Sequence, residues 1–182
     1  MDHITPIGTK QSFCSGCGAE LLTSVPEGDN RPRYICNSCD TIHYENPKMV
    51  VGCVIEYEGL ILLCRRAIEP RYNYWTVPAG FMELGETIID AAARETREEA
   101  CAEITIGGLL AVVDAVHAGQ AHIFFRGTLK DGIYGVGEES LDTQLFHPDQ
   151  IPWDEIAFPS GTIALKRYIH FMKTGGSDVH YT

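Results

Sequence analysis

Apolar residues recur along residues 46–182 with two different periods. Alternating or continuous apolar runs predict strands at residues 49–57, 60–66, 102–106, 109–116, 121–129 and 141–146. Glu58-Gly59, between the first two runs, is a short hairpin signal. Helical spacing instead marks the stretch that follows Thr87 and the stretch 160–173, with a Gly- and Glu-rich loop predicted at 130–140 and a loop or short helix at 148–156. This order of elements predicts an α+β domain in which a mixed sheet lies between two helices.

The first predicted helix carries both an apolar stripe and a cluster of acids. Thr87 and Asp90 form a capping-box start. The predicted core stripe consists of Ile89, Ala92, Ala93, Thr96 and Ala100. On a different face, Glu95, Glu98 and Glu99 are spaced i, i+3 and i+4, so their carboxylates are neighbours that repel one another by a few tenths of a kcal/mol per pair. The crowding favours a bound cation, for which Mg²⁺ or Mn²⁺ suits such oxygen ligands, over the alternative of a solvated acidic face.

The stretch from Gly80 to Ala102 resembles the signature of the Nudix hydrolases. The positions that match in register are Gly80, Glu86, Arg94, Glu95, Glu98 and Glu99. Two positions depart from the signature. Thr96 stands where a larger aliphatic residue is usual, and its methyl group can still pack inward. Cys101 replaces the glycine that ends the helix, so it either adopts a positive φ or closes the helix differently.

The resemblance implies a catalytic role for each acid. It implies that Glu98 and Glu99 are the chief ligands of Mg²⁺ or Mn²⁺, that Glu95 is a ligand or orients water, and that the backbone carbonyl of Ala79 is a further ligand. Arg94 is then a salt-bridge partner that fixes a glutamate rotamer. Glu86 is expected to brace the loop.

Nudix enzymes also recruit a carboxylate from a late loop as a base or ligand. Glu138 and Glu139 are the candidates, with Glu139 preferred. Simple loop solubility is an equal alternative for both, because sequence cannot supply the geometry that a base needs.

Four cysteines near the N-terminus form two CxxC pairs separated by 18 residues. Cys14 and Cys17 make the first pair, and Cys36 and Cys39 make the second. This spacing is typical of a four-thiolate structural Zn²⁺ site. We therefore predict a zinc ribbon over residues 1–45 and a Nudix domain over residues 46–182, with His43 as a surface or packing residue rather than a ligand.

Composition and charge limit the expected partners and the expected location of the protein. The net charge of −11 argues against binding to duplex nucleic acid, and no apolar run reaches the ~20 residues that span a membrane. The first six residues lack the basic start and apolar segment of a secretory signal, and seven cysteines fit a reducing compartment, so a cytoplasmic location is expected. Cys53 and Cys64 lie inside apolar strands and are predicted to be core residues.

Basic and aromatic residues before the signature are candidates for contacts with a nucleotide. Arg65, Arg66 and Arg71 could meet phosphates, although strand alternation sends only one of Arg65 and Arg66 to each face. Tyr74 is a candidate for stacking on a base, as is Tyr72. Trp75 is placed in the core, since large aromatic side chains are usually buried.

A zinc ribbon before a Nudix domain is similar to the bacterial NADH pyrophosphatases. Their Ser-Gln-Pro-Trp-Pro-Phe-Pro run is replaced here by residues 120–126. A closer resemblance, over Phe13 to about Phe158, is to the plant-type Nudix enzymes that cleave FAD and ADP-ribose. It implies release of AMP from a small ADP-linked nucleotide, and a homodimer. The alternatives are an NADH or NAD-cap pyrophosphatase and a non-enzymatic binding module with an inactive Nudix domain.

Overall fold

A computed structural model describes residues 10–176 and 178–182. The residues on which the absence of a secretory signal was judged lie outside this range. The chain divides into two compact units, one running to Pro47 with His117–Gly119 and the other containing Lys48–Val116 and Gln120–Thr182. Among the described residues, no helix combines the length and apolar character needed to cross a membrane.

The first unit is a small three-stranded antiparallel sheet. Its strands are β1 (Leu22–Ser24), β2 (Arg33–Ile35) and β3 (Ile42–His43), with β2 in the centre. A loop that contains Pro and Gly, residues 25–32, connects β1 to β2. Of the described residues in this unit, only Cys14, Pro26, Tyr34 and Cys36 are buried. So small a core cannot by itself offset the conformational entropy lost on folding.

The second unit is built on one mixed sheet. Its long strands are β4 (Lys48–Tyr57), β5 (Leu60–Arg66), β8 (Ile104–Ala115), β9 (Gln120–Leu129) and β10 (Ser140–Phe146), and its short strands are β6 (Trp75–Thr76), β7 (Ala79–Phe81) and β11 (His180–Tyr181). The order across the sheet is β10-β5-β4-β9-β8-β11, with β6 on β5 and β7 on β4. The β4–β9 and β8–β11 pairs are parallel and the others antiparallel. The predicted mixed sheet is therefore confirmed.

Two helices cover the opposite faces of this sheet. Helix α1 (Ile88–Ala100) packs on a core that contains Val51, Cys53 and Phe125. Helix α2 (Pro159–Thr174) packs on a second core built around Phe124 and Trp75. The layers confirm the α/β/α sandwich, and the burial of Cys53, Cys64 and Trp75 confirms that they are core residues.

Several boundaries differ from the sequence prediction. The two strands expected at 102–106 and 109–116 are one strand, β8, whose register shifts between Ile106 and Ala111 because Gly107 and Gly108 form a bulge against β9. The short strands β6, β7 and β11 were not predicted, since two or three residues carry no readable period. The hairpin at Glu58-Gly59 is confirmed, with both residues at positive φ.

Candidate active site and metal centre

Helix α1 begins and ends as local chemistry dictates. The Thr87 side chain accepts from the Asp90 N–H at 3.1 Å and donates to its carboxylate at 2.6 Å, which confirms the capping box. Cys101 takes the left-handed conformation at φ 47° and its N–H bonds to Arg97 O, so the helix closes as it would with glycine. The hydroxyl of the fully buried Thr96 donates to Ala92 O at 2.9 Å, which satisfies the polar group that replaces an aliphatic side chain.

The predicted faces of α1 are wrong in one respect. Ile89 is half exposed, and the buried face consists of Ala91, Ala92, Glu95, Thr96, Glu99 and Ala100. Two of the three acids thus lie on the buried face, with Glu95 only 8% and Glu99 only 6% exposed, while the Glu98 side chain is 57% exposed. The sequence pattern placed the acids on a face apart from the apolar stripe, whereas Glu95 and Glu99 share the buried face with the alanines.

Arg94 holds three glutamates at once. Its guanidinium donates to Glu86 at 2.7 and 3.0 Å, to Glu95 at 2.7 Å and to Glu98 at 2.9 Å. A further bond to Phe81 O at 3.0 Å ties the loop before α1 to the helix. Arg94 lowers the pKa of Glu86 to about 2, and the three carboxylates raise the pKa of Arg94. The arginine therefore bridges Glu95 and Glu98 and holds three glutamates, where one salt-bridge partner was expected.

Glu99 has no cationic partner within 4 Å among the described residues. Its carboxylate accepts one hydrogen bond, from the Ala79 N–H at 3.2 Å. Burial and the neighbouring charge of Glu95 raise the pKa of Glu99 to about 8. Burial also raises the pKa of Glu95. These carboxylates are held away from water without full compensation of their charge, an arrangement that a bound cation would stabilise.

Two glycines allow the backbone to approach the acids. A Cβ at Gly80 would lie 2.3 Å from Glu95 Oε2, so any other residue in β7 would displace that carboxylate. A Cβ at Gly137 would lie 1.7 Å from Glu98 O, at the end of α1. The late loop can therefore dock directly on the helix terminus.

That docking places Glu138 and Glu139 beside α1. The N–H groups of Gly135 and Gly137 donate to Ala100 O at 2.7 Å and Glu99 O at 3.1 Å, and the Ser140 hydroxyl donates to Glu99 O at 2.7 Å. The charge of Glu139 contributes to raising the pKa of both Glu95 and Glu99. The structure thus brings the predicted late-loop carboxylates to the same place as the helix acids.

One cavity of about 800 Å³ is lined by the helix acids Glu95, Glu98 and Glu99 and by the loop acids Glu138 and Glu139. Glu86 is not among its described lining residues. Ala79 and Arg94 line it as well. Of the predicted substrate contacts Arg66 lines the cavity, whereas Arg65, Arg71 and Tyr74 are not among its described lining residues and stay predictions. Arg65 donates to Asn73 O at 3.2 Å, and Arg71 lies over the Tyr74 ring. As alternation required, only one arginine of the 65–66 pair reaches the cavity.

Sequence reasoning missed one wall of the cavity. The missed residues are Phe81, Gln120, His122, Phe124, Phe158, Ser160 and Gly161. Gln120, His122 and Phe124 project from one face of β9, as strand alternation allows, and His122 Nε2 lies 2.8 Å from Gln120 Oε1. The remaining residues of this wall come from other segments of the unit. These residues come together only through tertiary packing, which a repeating pattern in the sequence cannot predict.

The carboxylates fit a hard divalent cation. They offer oxygen ligands, as does the Ala79 carbonyl, and such a set suits Mg²⁺ or Mn²⁺. Among the described residues, the four cysteines are the only group of three or more potential ligands found close enough together to hold a metal ion. Arg94 bonds to both Glu95 and Glu98. Coordination would require the exposed Glu98 to turn away from Arg94, and its position on the surface leaves that rotation open.

The four N-terminal cysteines fit Zn²⁺ without rearrangement. Their sulfur atoms lie within 4.8 Å of one another, with Cys14–Cys39 at 3.7 Å and Cys17–Cys36 at 3.4 Å. A tetrahedron with Zn–S bonds of about 2.3 Å has sulfur–sulfur edges of about 3.8 Å. His43 Nε2 lies 3.4 Å from Cys14 Sγ, where it is a neighbour of the thiolates and not a fifth ligand.

Raising the pH should destabilise the protein in buffer free of magnesium and manganese. The folded-state pKa of Glu99, about 8, exceeds its ordinary 4.5, so its stabilising contribution is complete below about 4.5 and is lost as pH passes 8. We expect the thermal midpoint to fall between pH 5 and 8, with a shallower fall in Glu99→Gln. Differential scanning calorimetry over this range measures both. Equal slopes in the variant, the wild type and an exposed control, Glu103→Gln, would contradict the assignment.

Comparison with known proteins identifies the family of this chain. Residues 46–164 match the NUDIX domain family and residues 12–45 match the Nudix N-terminal zinc-ribbon family. A NUDIX hydrolase from Nitrosomonas europaea is 46% identical, with a TM-score of 0.89 over 94% of this chain and 99% of that one. The NAD-capped RNA hydrolase NudC of Photorhabdus laumondii is 32% identical over 160 residues, which are 84% of this chain and 56% of that protein.

A second kind of relative is the ADP-ribose pyrophosphatase of Methanocaldococcus jannaschii. It is 28% identical over 132 residues, which are 70% of this chain and 76% of that protein. The chain spans only about a third to about half of the length of the NudC relatives that it matches.

Proposed function

The chain belongs to the NUDIX family, and on that premise we propose that it is a divalent-metal-dependent pyrophosphohydrolase of ADP-linked nucleotides. Its substrate would be ADP-ribose or FAD, and its products AMP and a second phosphomonoester. The observation that carries the proposal is the convergence of Glu95, Glu98, Glu99 and Glu139 in one cavity large enough for a nucleotide. Residues 1–45 would form a zinc ribbon and residues 46–182 the catalytic domain.

The acids of the α1 helix would bind the metal. Glu98, Glu99 and the Ala79 carbonyl would hold Mg²⁺ or Mn²⁺, with Glu95 as a further ligand. When bound, the metal would neutralise charge on the diphosphate and acidify a water molecule. The chain itself orients these groups: Arg94 fixes Glu95 and Glu86, and the Ala79 N–H fixes Glu99.

A carboxylate would also remove a proton from the attacking water. Glu139, Glu138 and Glu95 all line the cavity, and any of them has a carboxylate oxygen to accept that proton. Little covalent chemistry is required of the protein in phosphoryl transfer, so positioning and charge neutralisation would supply most of the acceleration.

An NAD-related substrate is the second candidate. The NudC relatives favour it, since their name states hydrolysis of NAD-capped RNA. The match to the ADP-ribose pyrophosphatase instead extends over most of both chains, which supports ADP-ribose. A homodimer and a cytoplasmic location remain predictions.

We expect the purified protein to release AMP from ADP-ribose with Mg²⁺ or Mn²⁺ and to be inactive without them. The panel should contain ADP-ribose, FAD, NADH, a diadenosine polyphosphate and an NAD-capped oligoribonucleotide, with products identified by chromatography. Glu98→Gln serves as the inactive control. Faster release of AMP from NADH, or of nicotinamide mononucleotide from the capped RNA, would favour the second candidate. No turnover of any compound with either metal would favour the non-enzymatic binding module.

A further inference from the structure

The N-terminus of α2 opens into the same cavity without a cap. Phe158 is the N-cap residue and makes no side-chain capping bond, Pro159 has no N–H, and the first turn contains no acidic residue. Within the described part of the chain, the N–H groups of Ser160 and Gly161 have no backbone acceptor. Free N–H groups at the positive end of a 16-residue helix attract anions.

Ser160 is an independent sign of a ligand. It is 6% exposed and lines the cavity, yet its hydroxyl has no hydrogen-bond partner among residues 10–176 and 178–182. A hydroxyl that faces a cavity and has no protein partner is free to bond to a group that enters that cavity. The polar group and the free N–H groups beside it lie on the same first turn.

Arg66 brings a positive charge to this end of the helix. It is 8% exposed, and its guanidinium lies 5.0 Å from the ring centroid of Phe158, the residue that precedes α2. Nε donates to Pro70 O at 3.0 Å, which fixes the plane of the group. The four other N–H bonds of the guanidinium have no protein acceptor among the described residues, so they are available to phosphate oxygens.

Carboxylates surround this positive corner but do not neutralise it. Glu69, Glu99, Glu138 and Glu139 line the same cavity, and none lies within 4 Å of the Arg66 guanidinium nitrogens as an ion pair. The charge of Arg66 nevertheless contributes to lowering the pKa of Glu99 against the effect of burial. The cavity therefore has an acidic wall, formed by Glu95, Glu98 and Glu99 of α1, and close to it the positive corner formed by Arg66 and the N-terminus of α2.

We propose that the Ser160 hydroxyl, the N–H groups of Ser160 and Gly161, and the Arg66 guanidinium form a second phosphate subsite. This inference rests on the proposed pyrophosphohydrolase function. The acidic wall, once loaded with cations, holds one phosphoryl group of the diphosphate, and the subsite holds the other. Binding of both groups aligns the anhydride bond between two positive surfaces. No residue of the subsite belongs to the Nudix signature stretch 80–102.

The decisive variant is Ser160→Asp. A carboxylate in the first turn stabilises a helix, because it offsets the dipole and accepts from free N–H groups, but it repels a phosphate at the same place. We expect a thermal midpoint no lower than that of the wild type, together with at least a tenfold loss of affinity for AMP or ribose 5-phosphate. Isothermal titration calorimetry in magnesium buffer measures the affinity. Thr162→Ala is the matched control, since it removes a hydroxyl from the same turn outside the cavity lining.

Steady-state kinetics of two further variants provide a second test. Ser160→Ala and Arg66→Lys should raise the KM for ADP-ribose about threefold to tenfold with a smaller change in kcat, as expected when binding is lost in ground and transition states alike. Wild-type affinity for both phosphates and wild-type KM in Ser160→Asp would overturn the subsite while the proposed function stands. Loss of phosphate affinity in a protein that hydrolyses nothing would instead retain the subsite and reject the hydrolase function.

Discussion

Glu99→Gln is expected to lower kcat/KM by about 10³-fold, because Glu99 is a proposed ligand of a metal that would contribute several kcal/mol at the reacting phosphate, and each 1.36 kcal/mol is a factor of ten. The substitution changes charge with almost no change in volume. The amide oxygen can still accept from the Ala79 N–H, which now bonds to Glu99 Oε2. The loss would therefore report the charge of this side chain and not a collapse of the loop around it.

The same variant should be no less stable than the wild type without added magnesium or manganese. It removes a buried carboxylate whose pKa is raised to about 8 and which has no cationic partner among the described residues. Lower activity with unchanged or higher stability is a combination that misfolding cannot produce. Glu103→Gln is the matched control, because Glu103 is exposed and lies outside the cavity. Its ion pair with Arg97 is long, at 4.0 Å. Near-wild-type turnover in Glu99→Gln would contradict the assignment of Glu99.

Loss of zinc is expected to unfold the first unit. Classical structural zinc sites contribute about 10–16 kcal/mol of apparent binding free energy, and this unit has only four buried residues among those described. Cys36→Ser removes the most buried of the four thiols. We expect about one zinc per chain by elemental analysis of the wild type, and rapid proteolysis of residues 10–47 in the variant.

The second unit should survive that change. It contains two hydrophobic clusters of its own, one on each face of the sheet, and no cysteine of the zinc cluster. A protease-resistant fragment beginning near residue 48 is therefore the expected product. Cys53→Ser, at a buried cysteine outside the zinc cluster, should leave the zinc content unchanged. Equal resistance of residues 10–47 in Cys36→Ser and wild type would show that the metal is not what stabilises this unit.

The sequence predicted the fold well wherever one local rule decides the structure. The hairpin at Glu58-Gly59, the start of α1 at Thr87 and the clustering of the four zinc-site cysteines each depend on residues close in sequence or on a fixed spacing. The same kind of rule failed for β8, because Gly107-Gly108 looks like a strand break but forms a bulge within one strand. Glycine has both uses, and only the partner strand distinguishes them.

For a related reason, the sequence predicted some residues of the site and missed others. The acids of α1 share one short stretch, so their proximity follows from the helix period. Their burial does not, because it depends on β7 and the late loop covering the helix. Arg94 was expected to fix one glutamate and bonds to three. Ser160 and His122 had no sequence signal, since a lone serine or histidine in an apolar element usually reports only packing.

The attachment of the late loop to α1 divides residues 130–140 into two parts with different tolerance to change. Gly135, Gly137 and Ser140 fasten the second part to the carbonyls that end the helix, so the spacing from there to Glu139 is fixed. Residues 131–133 precede those anchors and are partly or fully exposed. Added residues would therefore be absorbed at 131–133 without moving the acids, which makes this segment the natural place for a fused tag or a graft.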